Sequence, residues 1–374
     1  MRKVVCLSTS NYYPFPTRKQ NVMNRLHDAE VLYFDPPVTW LAPLKDKKAK
    51  ERLTAWKKPG QKAKENITVY ALPPILPFGT RFRWINRLNQ KRQAAFVRKK
   101  MKAHGFSDPL LWCYNPTAAD IIAHIPHDQL VYDCVDKHSA YTGTLNPVIV
   151  DAMEKDLATQ ADIVFCTALG LYETLSKENP NTWLIPNGAA YELFSQADGE
   201  PDPGQKVIYG FVGMLQDCIA YDYLLALADA CPEDEIWMIG RIMPGVDISE
   251  LEKRPNIKLL GLKKQEELPA IMRQFRVCLN VFAPGRLSRD VSPLKFYEYL
   301  ATGKPVVTTP EPLQVKDYAD IVAIANSPEE FVRCCKAAAV EHNDALREKR
   351  LAAGKAASWD NRVKEMETIL NQEG

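Results

Sequence analysis

The chain has 374 residues, enough for two ordinary domains, of which 46% are hydrophobic and 25% are charged. This composition is typical of a folded globular protein and excludes the disordered and fibrous classes. The formal net charge is only +2, so the chain as a whole is neither strongly basic nor strongly acidic.

The N-terminus lacks the features of a secretion signal. Met1-Arg2-Lys3 precede only four apolar residues, and nothing in the chain approaches the roughly 18 apolar residues of a membrane span. We therefore expect a cytoplasmic protein. The nine cysteines are odd in number and lie mostly in apolar runs, as reduced structural thiols do. Cys-x-x-Cys pairs are absent and His124 and His127 have no third ligand nearby, so no metal site is expected.

Short apolar, β-branched runs alternate with helix-period segments twice along the chain. The first series runs from Val4–Leu7 to Ile163–Cys166, and the second from Val207–Val212 to Ile321–Ile324. This alternation predicts an α/β fold with two Rossmann-like, doubly wound domains.

A Gly-, Pro- and Asp-rich segment, residues 187–204, separates the two series. We therefore predict a first domain over residues 1–188 and a second over residues 189–355. The apolar residues of 356–374 recur at helical spacing, which predicts a C-terminal helix that can pack back on the first domain.

One segment of the first domain is strongly basic. Eighteen lysines and arginines but only three acidic residues lie between Lys45 and Lys102. This asymmetry indicates an anionic partner, such as a membrane surface, nucleic acid or a phosphate-bearing substrate, and the alternative is a solvated helical face. Apolar residues lie among these cations and favour an anionic membrane over nucleic acid. The mixed stretch comprises Phe78, Arg81, Phe82, Arg83, Trp84, Ile85, Arg87, Lys91 and Arg92.

Polar side chains follow several of the predicted strands. Asp133 and Asp136 lie near the end of Leu130–Val135, with His138 just beyond. In the second domain, Gly213 follows the first strand and would let the backbone approach a phosphate, while Arg241 directly follows another strand. Open α/β sheets bind ligands at these carboxyl ends of strands. Arg286 and Arg289 are weaker candidates for a cation in the same region.

The segment from Asp290 to Val307 is the most informative one. Ser292 and Pro293 predict the N-cap and the first residue of a helix that ends at Gly303. The start of such a helix can hold a diphosphate on its free N–H groups, and Lys295 adds a positive charge. Glu298, one turn later, can accept hydrogen bonds from two sugar hydroxyls. This combination describes a site for a nucleotide diphosphate.

The same segment resembles the Glu-x7-Glu donor motif of retaining GT-B glycosyltransferases, especially glycosyltransferase family 4, in which the second Glu holds the ribose. Asp290 and Glu298 have the required spacing, and Asp in place of the first Glu is a departure that affects the contact to the donor sugar. The sequence from Ser292 to Leu300 resembles that of bacterial cell-surface polysaccharide transferases of the teichuronic-acid type. Other family-like landmarks follow in order: Val131 to Asp136, Ala161 to Phe165, Ile185 to Gly188, Phe211 to Gly213, and Leu260-Gly261 before Glu267.

This resemblance implies a GT-B fold, with two Rossmann-like domains facing across a cleft. It implies transfer of a hexosyl unit with retention, from a UDP-sugar or alternatively a GDP-sugar, to a cell-surface polysaccharide or lipid-linked acceptor. No metal or cofactor is implied, no nucleic-acid partner is expected, and the basic segment would place the enzyme on the inner face of the plasma membrane.

The implied roles divide the candidate residues into three groups. Arg18 and Lys19 would suit an acidic or phosphorylated acceptor, although the neighbouring Thr17 is also a good helix N-cap. The donor group is Gly213, Arg241, Ser292, Pro293, Leu294, Lys295 and Glu298; the acceptor group is Arg18, Lys19 and Asp133; the catalytic group is Asp136, His138 and Asp290.

Two alternative functions remain open. A non-hydrolysing UDP-sugar 2-epimerase has the same fold, and a non-catalytic sugar-nucleotide or nucleic-acid binding protein would share the charge pattern. Other motifs are missing: Gly303-Lys304 lacks the upstream glycine of a P-loop, and neither Gly-x-Gly-x-x-Gly nor Gly-x-Ser-x-Gly follows a strand. These absences argue against a dehydrogenase and an α/β-hydrolase.

Overall fold

The computed structural model describes residues 1–45, 49–141, 143–201, 204–283, 285 and 289–372. The chain divides into two compact units, the first formed by Met1–Ile185 with Val363–Gly374 and the second by Pro186–Arg362. Each unit contains one largely parallel sheet, which confirms the predicted α/β class. In the described residues, no helix combines the length and the apolar character that crossing a membrane requires.

The first unit is built on an eight-stranded sheet with the order β3-β4-β2-β1-β5-β6-β7-β8. All neighbouring strands are parallel except β3, which pairs antiparallel with β4 at the edge. The strands are β1 Arg2–Leu7, β2 Ala29–Asp35, β3 Gln61–Lys64, β4 Ile67–Ala71, β5 Leu110–Cys113, β6 Gln129–Cys134, β7 Ile163–Cys166 and β8 Thr182–Leu184.

Helices α1 to α6, together with the final part of α14, complete the first unit. The longest is α4, whose 21 residues leave a basic face in solvent. The N-cap of α1 is Thr17, whose backbone N–H donates to the side chain of Gln20 at 2.8 Å. The helices are α1 Arg18–Met23, α2 Ala42–Lys45, α3 Ala49–Ala55, α4 Arg83–Ala103, α5 Pro147–Gln160 and α6 Leu169–Leu175.

The second unit has a six-stranded, all-parallel sheet with the order β11-β10-β9-β12-β13-β14. Two separate clusters of buried apolar residues cover its two faces, as in a doubly wound fold. The strands are β9 Ile208–Val212, β10 Glu235–Ile239, β11 Ile257–Gly261, β12 Val277–Asn280, β13 Val306–Thr308 and β14 Ala323–Ile324.

The helices of the second unit pack on both faces of its sheet. One face carries α8 and α12, and the other carries α10 and α11. The helices are α7 Tyr191–Phe194, α8 Tyr221–Ala230, α9 Ser249–Glu252, α10 Leu268–Met272, α11 Leu294–Ala301, α12 Pro328–Ala339 and α13 Asp344–Ala356, and α14 Trp359–Gln372 ends the chain.

The strand orders locate the crevice expected in each sheet. In the second unit, β10 and β11 lie on one side of β9, and β12, β13 and β14 lie on the other. The strand order therefore reverses between β9 and β12. In the first unit, the reversal lies between β1 and β5. Open α/β sheets bind ligands beside the carboxyl ends of strands at such reversals.

Candidate functional site

Two glycines form the edge of the second unit's crevice. Gly213 directly follows β9 at φ +154°, and its N–H donates to the Ile239 carbonyl at 2.8 Å. Gly240 follows β10 at φ +156°, and a Cβ there would lie 1.8 Å from the Gly213 carbonyl oxygen. Only glycine allows the two backbones to approach this closely. The carboxyl ends of β9 and β10 therefore lie side by side without side chains between them.

The start of α11 differs from the prediction in one detail. The helix begins at Leu294, and Pro293 occupies the N-cap position in an extended conformation. The predicted cap, Ser292, instead accepts a hydrogen bond on its hydroxyl from the Asn187 N–H at 3.1 Å. The Asn187 side chain donates to the Ser292 carbonyl at 2.5 Å. Ser292 therefore ties the helix start to the segment before α7, and the cap prediction is wrong.

Lys295 is a buried cation on the first turn of α11. Its Nζ lies 3.8 Å from the centroid of the Phe211 ring and 4.5 Å from that of Phe282. A Cβ at Gly213 would lie 3.1 Å from the same Nζ. Burial lowers the pKa of Lys295 to about 7. In the part of the chain that the structure describes, its ammonium contacts aromatic faces and forms no salt bridge, which leaves it available to an anion.

Glu298 lies one turn further along α11 and is also buried. Burial raises its pKa to about 7, against the opposing effects of a hydrogen bond from the Gln265 side chain and the charge of Lys295. A buried acid and a buried base that titrate close to neutrality are typical of binding and catalytic sites. The pair fits a ligand that carries both a phosphate and hydroxyl groups.

The other predicted residues of the second unit differ in their exposure. Leu294 is partly buried and Pro293 is buried, so both can contribute backbone rather than side-chain contacts. Arg241 is exposed, with Nη2 3.6 Å from the Met243 sulfur. Asp290 is partly exposed just ahead of α11. Arg286 lies outside the described residues.

Two predicted acceptor residues of the first unit are closed off from ligands. Arg18 Nε donates to both carboxylate oxygens of Asp133, at 2.9 and 3.0 Å, and Nη1 donates to the Ile185 carbonyl. The side chains are only 2% and 0% exposed. Through these contacts, Arg18 joins α1 to β6 and to Ile185. Arg18 and Asp133 therefore have a structural role, and the geometry gives no support to their binding an acceptor.

Lys19, Asp136 and His138 come together at the carboxyl edge of the first sheet. Burial lowers the pKa of Lys19, and Asp136 opposes that effect. Burial also lowers the pKa of His138 to about 4, again opposed by Asp136, so its ring is neutral near pH 7. His138 Nε2 lies 3.2 Å from the Tyr114 carbonyl, which can only accept, so Nε2 carries the proton. The Nδ1 lone pair remains for another donor.

The sequence did not indicate several contributors to these sites. Phe211 lies in a family-like landmark and Phe282 in an apolar run, but no role was predicted for either, and both rings contact the Lys295 ammonium. Asn187 lies in a family-like landmark at the start of the predicted linker, and its hydrogen bond to Ser292 was not predicted. The Pro-Asn-Gly turn at residue 187 was the available signal, because an Asn in such a turn commonly bonds to nearby backbone. In the described ranges no group of three or more potential metal ligands is found.

Comparison with known proteins finds similarity to glycosyltransferases. Residues 236–368, which include the Lys295 and Glu298 site, match the family model described as glycosyl transferase-like. The Bacillus subtilis (strain 168) protein TuaH, which carries the name of a teichuronic acid biosynthesis glycosyltransferase, is 25% identical over 272 residues. That alignment covers 67% of this chain and 68% of TuaH.

Solved structures of similar fold span almost the whole chain. Anabaena HepE in complex with UDP has 15% identity and a TM-score of 0.65, with 100% of each chain covered. The apo structure of OtsA has 13% identity and a TM-score of 0.70, with 100% of this chain and 99% of OtsA covered. The lipopolysaccharide outer core galactosyltransferase WaaB, in its apo form, has 10% identity and a TM-score of 0.63, with 100% and 99% covered. At these identities the likeness shows the fold alone.

Proposed function

We propose that this chain, a glycosyltransferase of the GT-B fold and a distant homologue of TuaH, transfers a hexosyl unit from a nucleotide diphosphate sugar to a cell-surface glycan precursor. The observation that carries the proposal is the pair of buried ionisable groups, Lys295 and Glu298, on consecutive turns of α11 beside the Gly213 turn. The UDP bound to HepE supports a UDP-sugar as the donor.

The donor would bind the second unit through three kinds of contact. The free N–H groups at the start of α11, at Leu294 and Lys295, donate to the diphosphate, and the Lys295 ammonium neutralises its charge. The Glu298 carboxylate accepts hydrogen bonds from the two ribose hydroxyls. Gly213 keeps the strand end free of a side chain, so the phosphates can approach the backbone. Arg241 supplies a second, mobile cation.

Transfer with retention needs little acid or base chemistry from the protein. The bond between the anomeric carbon and the diphosphate oxygen breaks, the acceptor hydroxyl oxygen bonds to that carbon, and the hydroxyl proton passes to the released diphosphate. Lys295 and Arg241 would stabilise the negative charge that develops on the diphosphate, without a metal ion or cofactor. Asp290 would contact the donor sugar, while Asp136 and the Nδ1 lone pair of His138 would orient the acceptor hydroxyl.

The basic segment and the relative support a proposal for the acceptor and its location. TuaH carries the name of a teichuronic acid enzyme, which supports a cell-surface polysaccharide or its lipid-linked precursor as acceptor. The cations between Lys45 and Lys102 would hold the enzyme on the anionic inner face of the plasma membrane. Soluble donor and membrane-linked acceptor would then meet at one surface.

A panel of UDP-, GDP-, ADP- and dTDP-sugars in a thermal-shift assay tests the proposal. Binding to the folded state alone raises the melting temperature by mass action, so the true donor should raise it further as its concentration increases. The panel is repeated in excess EDTA, where the shift should persist. A protein that responds to no sugar nucleotide contradicts the proposed function, and a response that EDTA abolishes and Mg²⁺ restores contradicts the metal-free mechanism.

A further inference from the structure

The second unit contains a cavity of about 360 Å³ that no step of the proposed function uses. It lies beside the amino ends of β12 and β13, next to Arg276 and Pro305. The proposed donor site lies at the opposite edge of the same sheet, where α11 begins, whereas the cavity adjoins Gly303, just after α11 ends. Its volume is within the range of about 300–1,000 Å³ that small-molecule pockets occupy. A ligand bound here would leave the donor site free.

Cations form the inner wall of this cavity, and acids lie nearer to solvent. Lys304 is 5% exposed and the Arg276 side chain is 14% exposed, whereas the Glu200 side chain is 68% exposed. A ligand that enters therefore meets positive charge at depth, which favours an anion over a cation. The ionisable side chains of the lining are Asp198, Glu200, Arg276, Lys304, Glu341, His342, Asp344, Arg347 and Arg350.

Two of the arginines already form structural ion pairs. Arg350 donates to both carboxylate oxygens of Glu341, at 2.6 and 2.9 Å. Arg347 donates to both carboxylate oxygens of Asp198, through Nε at 2.8 Å and through Nη2. Because each of these guanidinium groups has its own carboxylate, Arg276 and Lys304 are the cations that a ligand can engage.

Lys304 is a buried ammonium that lacks a carboxylate beside it. Its Nζ donates to the Gly199 carbonyl at 2.9 Å and to the Arg273 carbonyl at 3.1 Å, which uses two of its three N–H groups. In the part of the chain that the structure describes, it forms no salt bridge. Burial lowers the pKa of Lys304, and the charges of Glu200 and Asp198 are among the effects that oppose this change. Since buried charges are almost always paired, the third N–H indicates a place for an anion.

Arg276 is held in place independently of its acidic partner. Its Nε donates to the Ala339 carbonyl at 2.6 Å, and its Nη2 donates to the Glu341 carbonyl at 3.1 Å. Its Nη1 donates to the Glu200 carboxylate, whose other oxygen lies 3.9 Å from His342 Nδ1. An ion pair with so exposed a carboxylate is weak, so a more highly charged anion can displace it. Glu200 therefore occupies the position that the anionic group of a ligand would take.

From these observations we infer that the cavity binds a phosphate group, either free or in a small phosphomonoester. Its oxygens replace the Glu200 carboxylate on Arg276 Nη1 and accept the third N–H of Lys304. A carboxylate ligand would only repeat the contact that Glu200 already makes. A phosphate brings about 1.5 to 2 negative charges and three acceptor oxygens, which is enough for both cations. The site is separate from the proposed donor site and does not depend on it.

Histidine-selective NMR on the full chain tests this inference, because His342 lines the cavity and the chain has only 6 histidines. Protein labelled with ¹³C in its histidine rings is titrated at fixed pH and ionic strength with inorganic phosphate, methyl phosphate and glycerol 2-phosphate. Sodium chloride serves as the reference salt. The His342 resonance, assigned by its loss in His342→Gln, should shift and saturate with phosphate but not with chloride. The response should persist with saturating UDP and in Lys295→Met.

Glu200→Gln gives the sharpest test, because it removes the competing carboxylate. It should tighten phosphate binding about two- to fivefold, whereas Arg276→Gln should weaken it about tenfold. The matched control is Glu348→Gln, which removes the same charge from an exposed position of α13 outside the lining and should leave the affinity unchanged. Since Glu200 is exposed, its variant keeps the test valid if Arg276→Gln fails to fold.

The relative affinities of the three phosphates distinguish the free ion from an ester, and tighter binding of either supports the site. The inference is overturned if the His342 resonance does not respond, if chloride produces the same shift, or if Glu200→Gln and Glu348→Gln bind phosphate equally. A response that UDP or Lys295→Met abolishes would also overturn it, because the phosphate would then occupy the proposed donor site.

Discussion

Two residues of α11, Lys295 and Glu298, form the core of the proposed donor site. Glu298 is buried, and in the described residues it forms no salt bridge, so its carboxylate has capacity for further hydrogen bonds. Replacing it with Gln keeps the volume but removes the charge and one acceptor. We expect Glu298→Gln to weaken UDP binding by about 1–3 kcal/mol, the scale of a charge-assisted hydrogen bond. Titration calorimetry measures this change.

The control for that measurement is Glu348→Gln, since Glu348 is exposed on α13 and changes the net charge equally. Its affinity for UDP should match that of the unaltered protein. Equal affinity of all three proteins for both UDP and GDP would remove Glu298 from the donor site.

The same two residues predict how donor binding depends on pH. Lys295 must be protonated to meet a diphosphate, and its free pKa of about 7 means that the proton is lost as the pH rises above neutrality. Glu298 must be ionised to accept from two hydroxyls, and its free pKa of about 7 means that it gains a proton as the pH falls below neutrality. Affinity should therefore peak near pH 7 and fall on both sides, by up to about tenfold per pH unit.

Single variants separate the two limbs of this profile. Lys295→Met should bind more weakly and lose the alkaline limb, while Glu298→Gln should bind more weakly and lose the acidic limb. A sugar nucleotide serves as ligand, because its esterified diphosphate does not itself titrate near neutrality. An affinity that stays constant between pH 5.5 and 8.5 would show that neither group titrates in the free site.

Among the helices, α11 depends on close contact with α13. A Cβ at Gly354 would lie 2.5 Å from the Ala301 nitrogen, so glycine is needed where α13 crosses α11. Gly→Ala inside a helix normally stabilises it by up to about 1 kcal/mol. Here we expect the opposite sign, because the extra methyl group would push α11 away from α13. Gly354→Ala should lower the melting temperature and weaken UDP binding, and a more stable variant would contradict this packing.

Sequence patterns predicted the elements that bury a regular apolar face. Helix α11 was predicted to within two residues, since its apolar spacing and the Gly303 stop are clear; it begins at Leu294 rather than Pro293 and ends at Ala301. Strand β3 was missed because Gln61–Lys64 is charged and lies exposed at the sheet edge. Helix α4 was not delimited because its buried face carries Asn86, Asn89 and Gln93, so the helical period of apolar residues is hidden.

The proposed functional residues also differ in how far the sequence alone could identify them. Lys295 and Glu298 could be predicted because a helix start that follows a strand has a local sequence signature. The Arg18–Asp133 pair could not, since its two members are distant in sequence and only the folded sheet brings them together.

For the whole molecule, the basic segment predicts attachment to anionic membranes. Exposed apolar side chains accompany its cations; Trp84 is 62% exposed, and the Arg81 guanidinium lies 5.7 Å from the centroid of the Phe82 ring. Arg83 contributes less than the sequence indicated, because it pairs with Asp120 and Asp156 within the unit. Arg81 and Lys91 are exposed, so these two residues are chosen for charge-reversal substitutions.

We expect flotation with liposomes that rises with anionic lipid content and falls with salt, because the attraction acts over a Debye length of about 8 Å at physiological ionic strength. Arg81→Glu with Lys91→Glu should reduce flotation. Arg333→Glu with Lys336→Glu, on the exposed face of α12, changes the net charge equally and should not. Equal flotation with neutral and anionic vesicles would assign the cations to solvent or to a soluble acidic acceptor.

One cysteine can serve as a chemical probe of the proposed donor site. Seven of the nine are buried, and Cys218 and Cys334 are the partly exposed ones. Burial raises the pKa of the Cys218 thiol and the nearby charge of Lys295 opposes this effect. The raised pKa slows alkylation at neutral pH. Occupancy of the site by a diphosphate would shield this sulfur. The rate at which a maleimide modifies Cys218, followed by mass spectrometry, therefore reports donor occupancy before any acceptor is known.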